Sequence, residues 1–383
     1  ERIVDDQQML EFEPCLQTLL RNRRVRRSAS AYTAMLDSDV VDILVTFLAD
    51  KRPGATITHL ARMGGGASKE QFLFTLAGPD GTEARFVLRM DPLEAITETD
   101  RCREFEILMA VREVIPVPEP LWLDPDGTTF GQPAAIMAFV PGVTKPRDAG
   151  QKVSGLGTLL GDPLRGKLAK PFLDHLVTLH TFDWRKAEIT SFAVPDADPH
   201  QAARWSLNYW RQLLDLDRID HPAIITLAEE WLLENLPECS DLVLTHGDYC
   251  TGNYLFDEES GDISAVLDWE LARIGDRHED LAWVLMRVFG TFEDGRFRAS
   301  DLFGREEFIR AYETASGCPV DLAKLHFYEV LSNYKCYIIV AACGMSVARA
   351  CHNHQDVLLT YLAGATPLFT SDLCRLLKED IAA

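Results

Sequence analysis

The spacing of apolar residues along the chain changes character several times, and each change marks a structural boundary. Val40, Val41, Ile43, Leu44, Phe47 and Leu48 recur at helical spacing, and Pro53-Gly54 stops that helix. Strand-like runs follow at Ile57 to Leu60, Phe72 to Leu76 and Phe86 to Met90, the last two flanking a turn at Pro79-Asp80-Gly81. Helical spacing returns from about Glu98 to Glu113, with Phe105, Leu108 and Val111 on one face. Pro116, Pro118 and Pro120 end it. Two more strands, Leu121–Leu123 and Ala134–Phe139, are separated by a turn around Asp126-Gly127. Five strands, with one helix between the third and fourth, predict a small α+β lobe.

Pro141-Gly142 reads as a hinge, and the helical period dominates beyond it. Helices are predicted over 167–183, 199–217, 222–236, 278–290, 305–316 and 320–349, and the glycine-rich stretch 149–166 is predicted as loop. Among them lies a β-like patch, 242–267, in which Tyr254–Phe256 and Ser264–Leu267 flank the turn Ser260-Gly261-Asp262. The expected division is an N-terminal helical extension over 1–38, a small lobe over 39–140 and a large lobe over 141–383. No internal repeat interrupts it.

The length of 383 residues suits two domains or one bilobal unit. A net charge of −21 argues against a general nucleic-acid binder, which needs a basic face to neutralise phosphates. Arg21, Arg23, Arg24, Arg26 and Arg27 form the one dense basic run, either a solvated helix face or a site for an anionic partner. The acidic, polar start ERIVDDQQ lacks the pattern of a signal peptide. The best apolar run, Tyr337 to Met345, is shorter than the roughly 20 residues of a membrane-spanning helix, so no span is expected. Nine cysteines without a C-x-x-C pair suit reduced thiols in a cytoplasmic protein. Cys351, His352 and His354 cluster locally, but a helix-to-loop boundary accounts for them as well as a metal would.

The chemistry concentrates in LTHGDYCTGNYLFDEESGDISAVLDWELA, which begins at Leu244. A hairpin there would bring Asp248, Asn253 and Asp268 to one end. Hard oxygen donors suit Mg²⁺, which binds one or two carboxylates plus substrate phosphates. A further carboxylate left free can accept a hydroxyl proton. Asp248 and Asn253 have the D-x-x-x-x-N spacing of the protein-kinase catalytic loop, and Asp268 follows as a later metal carboxylate would.

His246-Gly247-Asp248, Asn253, Asp268-Trp269-Glu270, Gly275-Asp276 and Asp280-Leu281-Ala282 resemble the signature of the aminoglycoside phosphotransferase and choline kinase branch of the kinase-like superfamily. The wording VLDWELARIGDRHEDLAW looks most like the kinase-like domains associated with acyl-CoA dehydrogenase-type proteins. The likeness extends over about 40–375 as an architecture and is sharp over 244–283. It implies a protein-kinase-like bilobal fold of class α+β, with a five-stranded antiparallel lobe and a larger, mainly helical lobe. It further implies a monomer or homodimer that uses ATP and Mg²⁺ to phosphorylate a small-molecule hydroxyl. Asp248 would be the catalytic base, with Asn253 and Asp268 holding the metal. His246 is expected to hold the loop by hydrogen bonds rather than to catalyse. Asp276 and Asp280 are expected to cap helices or brace loops.

The same resemblance assigns nucleotide contacts in the small lobe. The loop Gly64-Gly65-Gly66-Ala67-Ser68 lies between two strands, where Gly65 and Gly66 let backbone N–H groups approach phosphates and Ser68 adds a hydroxyl. Arg89 occupies the third-strand position that is Lys in protein kinases, and keeps the charge with a planar fork. Glu104 is the expected partner of Arg89, with Glu98 and Glu106 as alternatives. Adenine would sit at the hinge, with Ala138 offering a carbonyl and Val140 an N–H, because Pro141 has none. Met137 would line the back of that pocket or simply pack in the core.

From Thr144 onward there are 23 basic and 37 acidic residues, so the acidity is not concentrated in the large lobe. Aromatics recur on the expected acceptor-side helices, at Trp205, Tyr209, Trp210, Phe327, Tyr328, Tyr334 and Tyr337. Most serve the core, but the pattern favours a neutral or anionic hydroxyl compound with an apolar part over a polycation. The competing expectation is a catalytically inactive nucleotide-binding or scaffold module on the same fold. Retention of Asp248, Asn253 and Asp268 together speaks against it.

Overall fold

A computed structural model describes residues 9–26, 33–64, 69–92, 94–147, 156–351, 353 and 355–381. The small lobe is one antiparallel sheet. Strands β1 (Thr56–Arg62), β2 (Glu70–Ala77), β3 (Glu83–Met90), β4 (Pro120–Asp124) and β5 (Ala134–Ala138) are ordered β1-β2-β3-β5-β4. Alternation along β2 buries Phe72, Phe74 and Leu76 on one face, against Val40, Leu44, Phe47 and Leu48 of helix α2 (Asp37–Leu48). The register pairs Phe74 with Phe86, whose rings stack at 5.4 Å. The opposite face of β5 carries Ala135 and Met137. They join Ile107, Leu108 and Val111 of helix α3 (Arg101–Val111) in the core of the large lobe. Asp100 caps α3 by accepting the N–H of Cys102 at 2.7 Å, which sets the start of the helix three residues later than the predicted Glu98.

The large lobe contains α4 (Asp162–Thr181), α5 (Gln201–Asp217), α6 (Ala223–Glu234), α7 (His278–Val284), α8 (Arg305–Ser316) and α9 (Leu322–Tyr337). A π-helical stretch, Ile338–Gly344, leads from α9 into α10 (Met345–Ala350), and α11 (Asp356–Leu362) and α12 (Thr366–Ile381) follow. Two short strand pairs carry the expected chemistry: β6 (Val243–Thr245) with β9 (Arg273–Gly275), and β7 (Tyr254–Phe256) with β8 (Ile263–Val266).

Several expectations need correction. Helix α4 begins at Asp162, inside the stretch predicted as loop, because Pro163 fits the first helical turn and Gly161 precedes it at φ +78°. Helix α7 ends at Val284, and the chain then forms the hairpin β10 (Thr291–Glu293) and β11 (Arg296–Arg298). Its turn residues, Asp294 and Gly295, both have positive φ, a tight-hairpin signal that helical spacing obscured. The N-terminal extension is no loose appendage. Phe12 and Leu20, on and before helix α1 (Pro14–Arg26), are each 1% exposed in the large-lobe core. Side chains of Arg23, Arg24, Arg26 and Arg27 lie outside the described residues.

Among the described residues, two helical runs are long and apolar enough to cross a membrane by length and composition alone, which leaves the expectation of no span undecided. The most apolar 18-residue stretch of Leu322–Ala350 is mostly buried in the large lobe, whereas that of Val357–Lys378 is mostly not. The single apolar run weighed in the sequence was too short because adjoining polar residues also belong to the helix. Cys351 ends α10 at φ 57°, and His352 and His354 lie outside the described residues.

Candidate active site

The loop between β6 and β7 is held from below by one buried carboxylate. Asp280, in the first turn of α7, accepts the N–H of His246 and the N–H of Gly247, each at 2.7 Å. His180 reaches the same carboxylate at 3.1 Å and is itself held by the Tyr312 hydroxyl at 2.8 Å. Burial opposes the charge on Asp280, but the His180 hydrogen bond and the backbone donors hold its carboxyl below the ordinary range. Gly247 has φ +78°, and a Cβ there would meet the Leu271 carbonyl at 2.4 Å, so only glycine fits this turn.

His246 braces the loop. Its Nε2 donates to the Leu267 carbonyl at 2.9 Å and its Nδ1 accepts the Asp248 N–H at 3.2 Å. Both bonds suit a neutral ring, and burial lowers its basicity. Asn253 closes the loop by donating Nδ2 to the Asp248 carbonyl at 2.9 Å, which leaves Oδ1 as an acceptor. The Leu267 N–H donates to the Asn253 carbonyl at 2.8 Å, tying the end of the β7–β8 hairpin to the same loop. The next residue, Asp268, sits in the left-handed region at φ 60°, a strained position of the kind found at functional sites.

The hairpin therefore brings Asp248, Asn253 and Asp268 together. Asp248 is half-buried, and its Oδ1 accepts the indole N–H of Trp283 at 2.8 Å. Burial pushes its carboxyl up to about 7, Lys335 working against the rise and Asp268 with it. The Asp268 carboxylate is 36% exposed. Asp268 and Asn253 Oδ1 together fit a hard cation that takes its remaining oxygens from phosphates. Among the described residues no group of three or more His, Cys, Asp or Glu forms a metal cluster.

Arg89 on β3 meets this site from the small lobe. Its Nη2 lies 2.7 Å from Asp268 and its Nη1 lies 2.9 Å from Glu104 of α3. Burial works against the guanidinium charge, and the Glu104 and Asp268 carboxylates outweigh it, raising its basicity. Nε of Arg89 is buried without a partner among the described residues. Arg101 also reaches Glu104. Of the alternatives, Glu106 faces elsewhere, its carboxylate accepting from Thr190 and Ser191, while the Glu98 backbone carbonyl takes the Tyr209 hydroxyl. Gly65, Gly66 and Ser68 lie outside the described residues. At the hinge, the Ala138 N–H is bonded to the Glu119 carbonyl, and the Phe139 N–H to that of Arg85. The Val140 N–H makes no hydrogen bond among the described residues.

Three buried residues join the site without having been singled out in the sequence. Lys69 precedes β2 and lies 3.0 Å from Asp91 and 3.4 Å from Glu270. Trp283 touches Asp248. Lys335 on α9 donates to the Gly247 carbonyl and stands 3.9 Å over the Trp283 ring. A lysine amid the apolar residues of Tyr334 to Val340 is the signal that could have revealed Lys335. The aromatics of α5 and α9 are mostly core; Trp210 is the member that faces Lys335, at 5.3 Å.

The phosphotransferase enzyme family matches the chain over residues 59–318. The chain is 28% identical over 266 residues to acyl-CoA dehydrogenase family member 10 of Mus musculus, a match covering 66% of this chain and 24% of that protein. It thus spans about a quarter of that relative's length. In structure it is similar to a Ralstonia eutropha protein assigned to the aminoglycoside phosphotransferases, with a TM-score of 0.65 at 18% identity over 88% of this chain and 98% of the other. It is also similar to a thermostable mutant of the aminoglycoside phosphotransferase APH(4)-Ia in complex with ADP and hygromycin B, with a TM-score of 0.55 at 15% identity over 86% of this chain and 97% of the other.

Proposed function

Because the chain belongs to the phosphotransferase enzyme family, we propose that it moves the γ-phosphate of ATP to a hydroxyl group of a small molecule. The observation that carries this reading is the meeting of Asp248, Asn253 and Asp268 at one end of the hairpin, with Arg89 opposite them. The ADP held by APH(4)-Ia, on the same fold, supports an adenine nucleotide in the cleft.

In this reading Asp248 accepts a hydrogen bond from the acceptor hydroxyl, orients it and takes its proton as the new P–O bond forms and the bond from the γ-phosphorus to the bridging oxygen breaks, releasing ADP. A carboxyl brought up to about 7 is a competent base near neutral pH. Asn253 Oδ1 and Asp268 would hold Mg²⁺, which would supply charge neutralisation to the phosphates. Arg89, whose Nε lacks a partner, supplies positive charge to the phosphates. The Val140 N–H is free to take an adenine nitrogen, with the Ala138 carbonyl as the expected acceptor. Positioning and charge stabilisation supply most of the rate in such a site. A cytoplasmic setting belongs to the same proposal, supported by nine cysteines that form no disulfide.

The acceptor is a neutral or anionic hydroxyl compound with an apolar part. An ammonium and an indole, Lys335 and Trp283, back the Asp248 loop, and the acidic residues of the large lobe are not concentrated as a polycation site would need. The test is ADP release with Mg²⁺-ATP across kanamycin-like amines, choline, amino sugars and hydroxyacyl thioesters. Turnover of an anionic or neutral hydroxyl compound is the expected result. Efficient turnover of the amines, near ~10⁴ M⁻¹s⁻¹ in kcat/KM or above, would reject the acceptor class. Nucleotide binding with neither transfer nor slow ATP hydrolysis would favour a scaffold.

A further inference from the structure

We propose that Trp283 and Lys335 are positioning residues for Asp248, fixing one carboxylate oxygen and the backbone beside it so that the other oxygen faces the acceptor. The proposal rests on Asp248 being the base.

An aspartate side chain turns about two bonds, and its two oxygens are equivalent until something distinguishes them. The Trp283 indole N–H makes that distinction by donating to Oδ1 at 2.8 Å. The indole is itself confined. Phe289 lies against it at 5.1 Å between ring centroids, and the Lys335 ammonium stands over its face at 3.9 Å. The same ammonium donates to the carbonyl of Gly247, the residue before Asp248, and lies 5.3 Å from the Trp210 ring. Backbone and side chain of the base are therefore held by one pair of residues from two helices, α7 and α9.

Lys335 is 2% exposed, so it lies behind the loop and does not touch an acceptor. Burying an ammonium among Trp210, Trp283 and Cys336 is costly, and a methionine would fill the volume without that cost. A purely packing role does not explain a lysine there. A donor that reaches the Gly247 carbonyl and a charge that seats the Trp283 ring do. From the β9–α7 side Glu279 lies close enough to balance this ammonium, while the like charge of Arg273 works against it.

The test uses the full chain and the variants Trp283→Phe, Lys335→Met and Lys335→Arg. Trp283→Phe keeps an aromatic ring under the ammonium and removes the N–H donor together with part of the ring volume, so the melting temperature of the variant is read alongside. ADP release is measured with Mg²⁺-ATP and the best acceptor of the panel, together with the melting shift produced by Mg²⁺-ADP. Trp283→Phe and Lys335→Met should lower kcat roughly ten- to hundredfold, the scale of a misplaced reacting group. KM for ATP and the Mg²⁺-ADP shift should stay within about twofold, and Lys335→Arg should recover most of the lost rate. Wild-type-like kcat in both variants, or a loss confined to KM for ATP, overturns the proposal. If the wild type phosphorylates nothing on the panel, the proposed function fails by itself, and a crystal structure of Trp283→Phe decides the positioning role. The Asp248 carboxylate should then occupy a different rotamer, and an unmoved carboxylate refutes the role.

Discussion

Arg89 and Asp268 lie 2.7 Å apart, nitrogen to oxygen, although 179 positions separate them in the chain. One belongs to the third strand of the small lobe and the other to the end of β8 in the large lobe. Their bond, with the Arg89–Glu104 pair behind it, sets a guanidinium fork across the floor of the cleft. A divalent cation and a triphosphate entering there would have to share both groups.

The fork can be tested against a point charge. Arg89→Lys keeps the charge but cannot hold Glu104 and Asp268 with the same two-armed geometry. It should lose roughly 1–3 kcal/mol of charged hydrogen bonding, seen as a smaller Mg²⁺-ADP melting shift than in wild type. Arg89→Ala should lose more. An effect no larger than that of Arg296→Ala, an exposed arginine, would remove Arg89 from the nucleotide site.

Asp248→Ala should abolish phosphoryl transfer while leaving nucleotide binding intact, because the residue acts on the acceptor. Loss of a positioned base costs about 10²–10⁴-fold. Calorimetric titration with Mg²⁺-ADP, alongside ADP release, separates the two effects. Activity within threefold of wild type would exclude Asp248 from the mechanism.

Asp280 predicts a pH-dependent contribution to stability. Its folded-state carboxyl lies below the ordinary value, so the contribution is present above the unfolded pKa of about 3.9 and fades as pH falls through the folded value. Asp280→Asn should destabilise the protein by about 2–4 kcal/mol at pH 7, since His180 and two backbone donors lose their charged acceptor. Urea unfolding at several pH values should show the gap between the two proteins narrowing below about pH 4. A gap that is constant down to the acid transition contradicts this account.

The N-terminal extension is predicted to stabilise the junction of the lobes. Glu13 holds the buried Arg103 guanidinium of α3 at 3.0 Å, and Arg103 also reaches the Ser191 carbonyl at 2.8 Å. Glu13→Ala removes the one carboxylate bonded to a buried cation and should cost about 2–4 kcal/mol. The Ser191 and Ala272 carbonyls, the Cys15 sulfur and the Phe192 ring, 3.8 Å from the guanidinium, keep the loss from being larger. Urea midpoints should fall with an unchanged slope, and a change under ~0.5 kcal/mol, the range of ordinary surface substitutions, would show that the Glu13–Arg103 pair does not hold the extension in place.

Elements whose signals are local were readable in the chain. The strands of the small lobe alternate because one face is buried, and α2 repeats because one stripe meets that face. The D-x-x-x-x-N spacing from Asp248 to Asn253 spans one loop, so the residues that meet there are near neighbours in sequence as well. Even the overlooked hairpin had a local sign, the Asp294-Gly295 pair. The choice of Glu104 over Glu98 and Glu106 was different. It depends on where Asp100 starts α3, and so on which face of that helix meets Arg89. Trp283 and Lys335 stand 35 and 87 residues beyond Asp248, on helices whose spacing announces only that they are buried. Periodicity reports that a side chain leaves water, but the partner that makes a buried charge tolerable comes from whichever distant element packs against it, and that is settled when the helices dock.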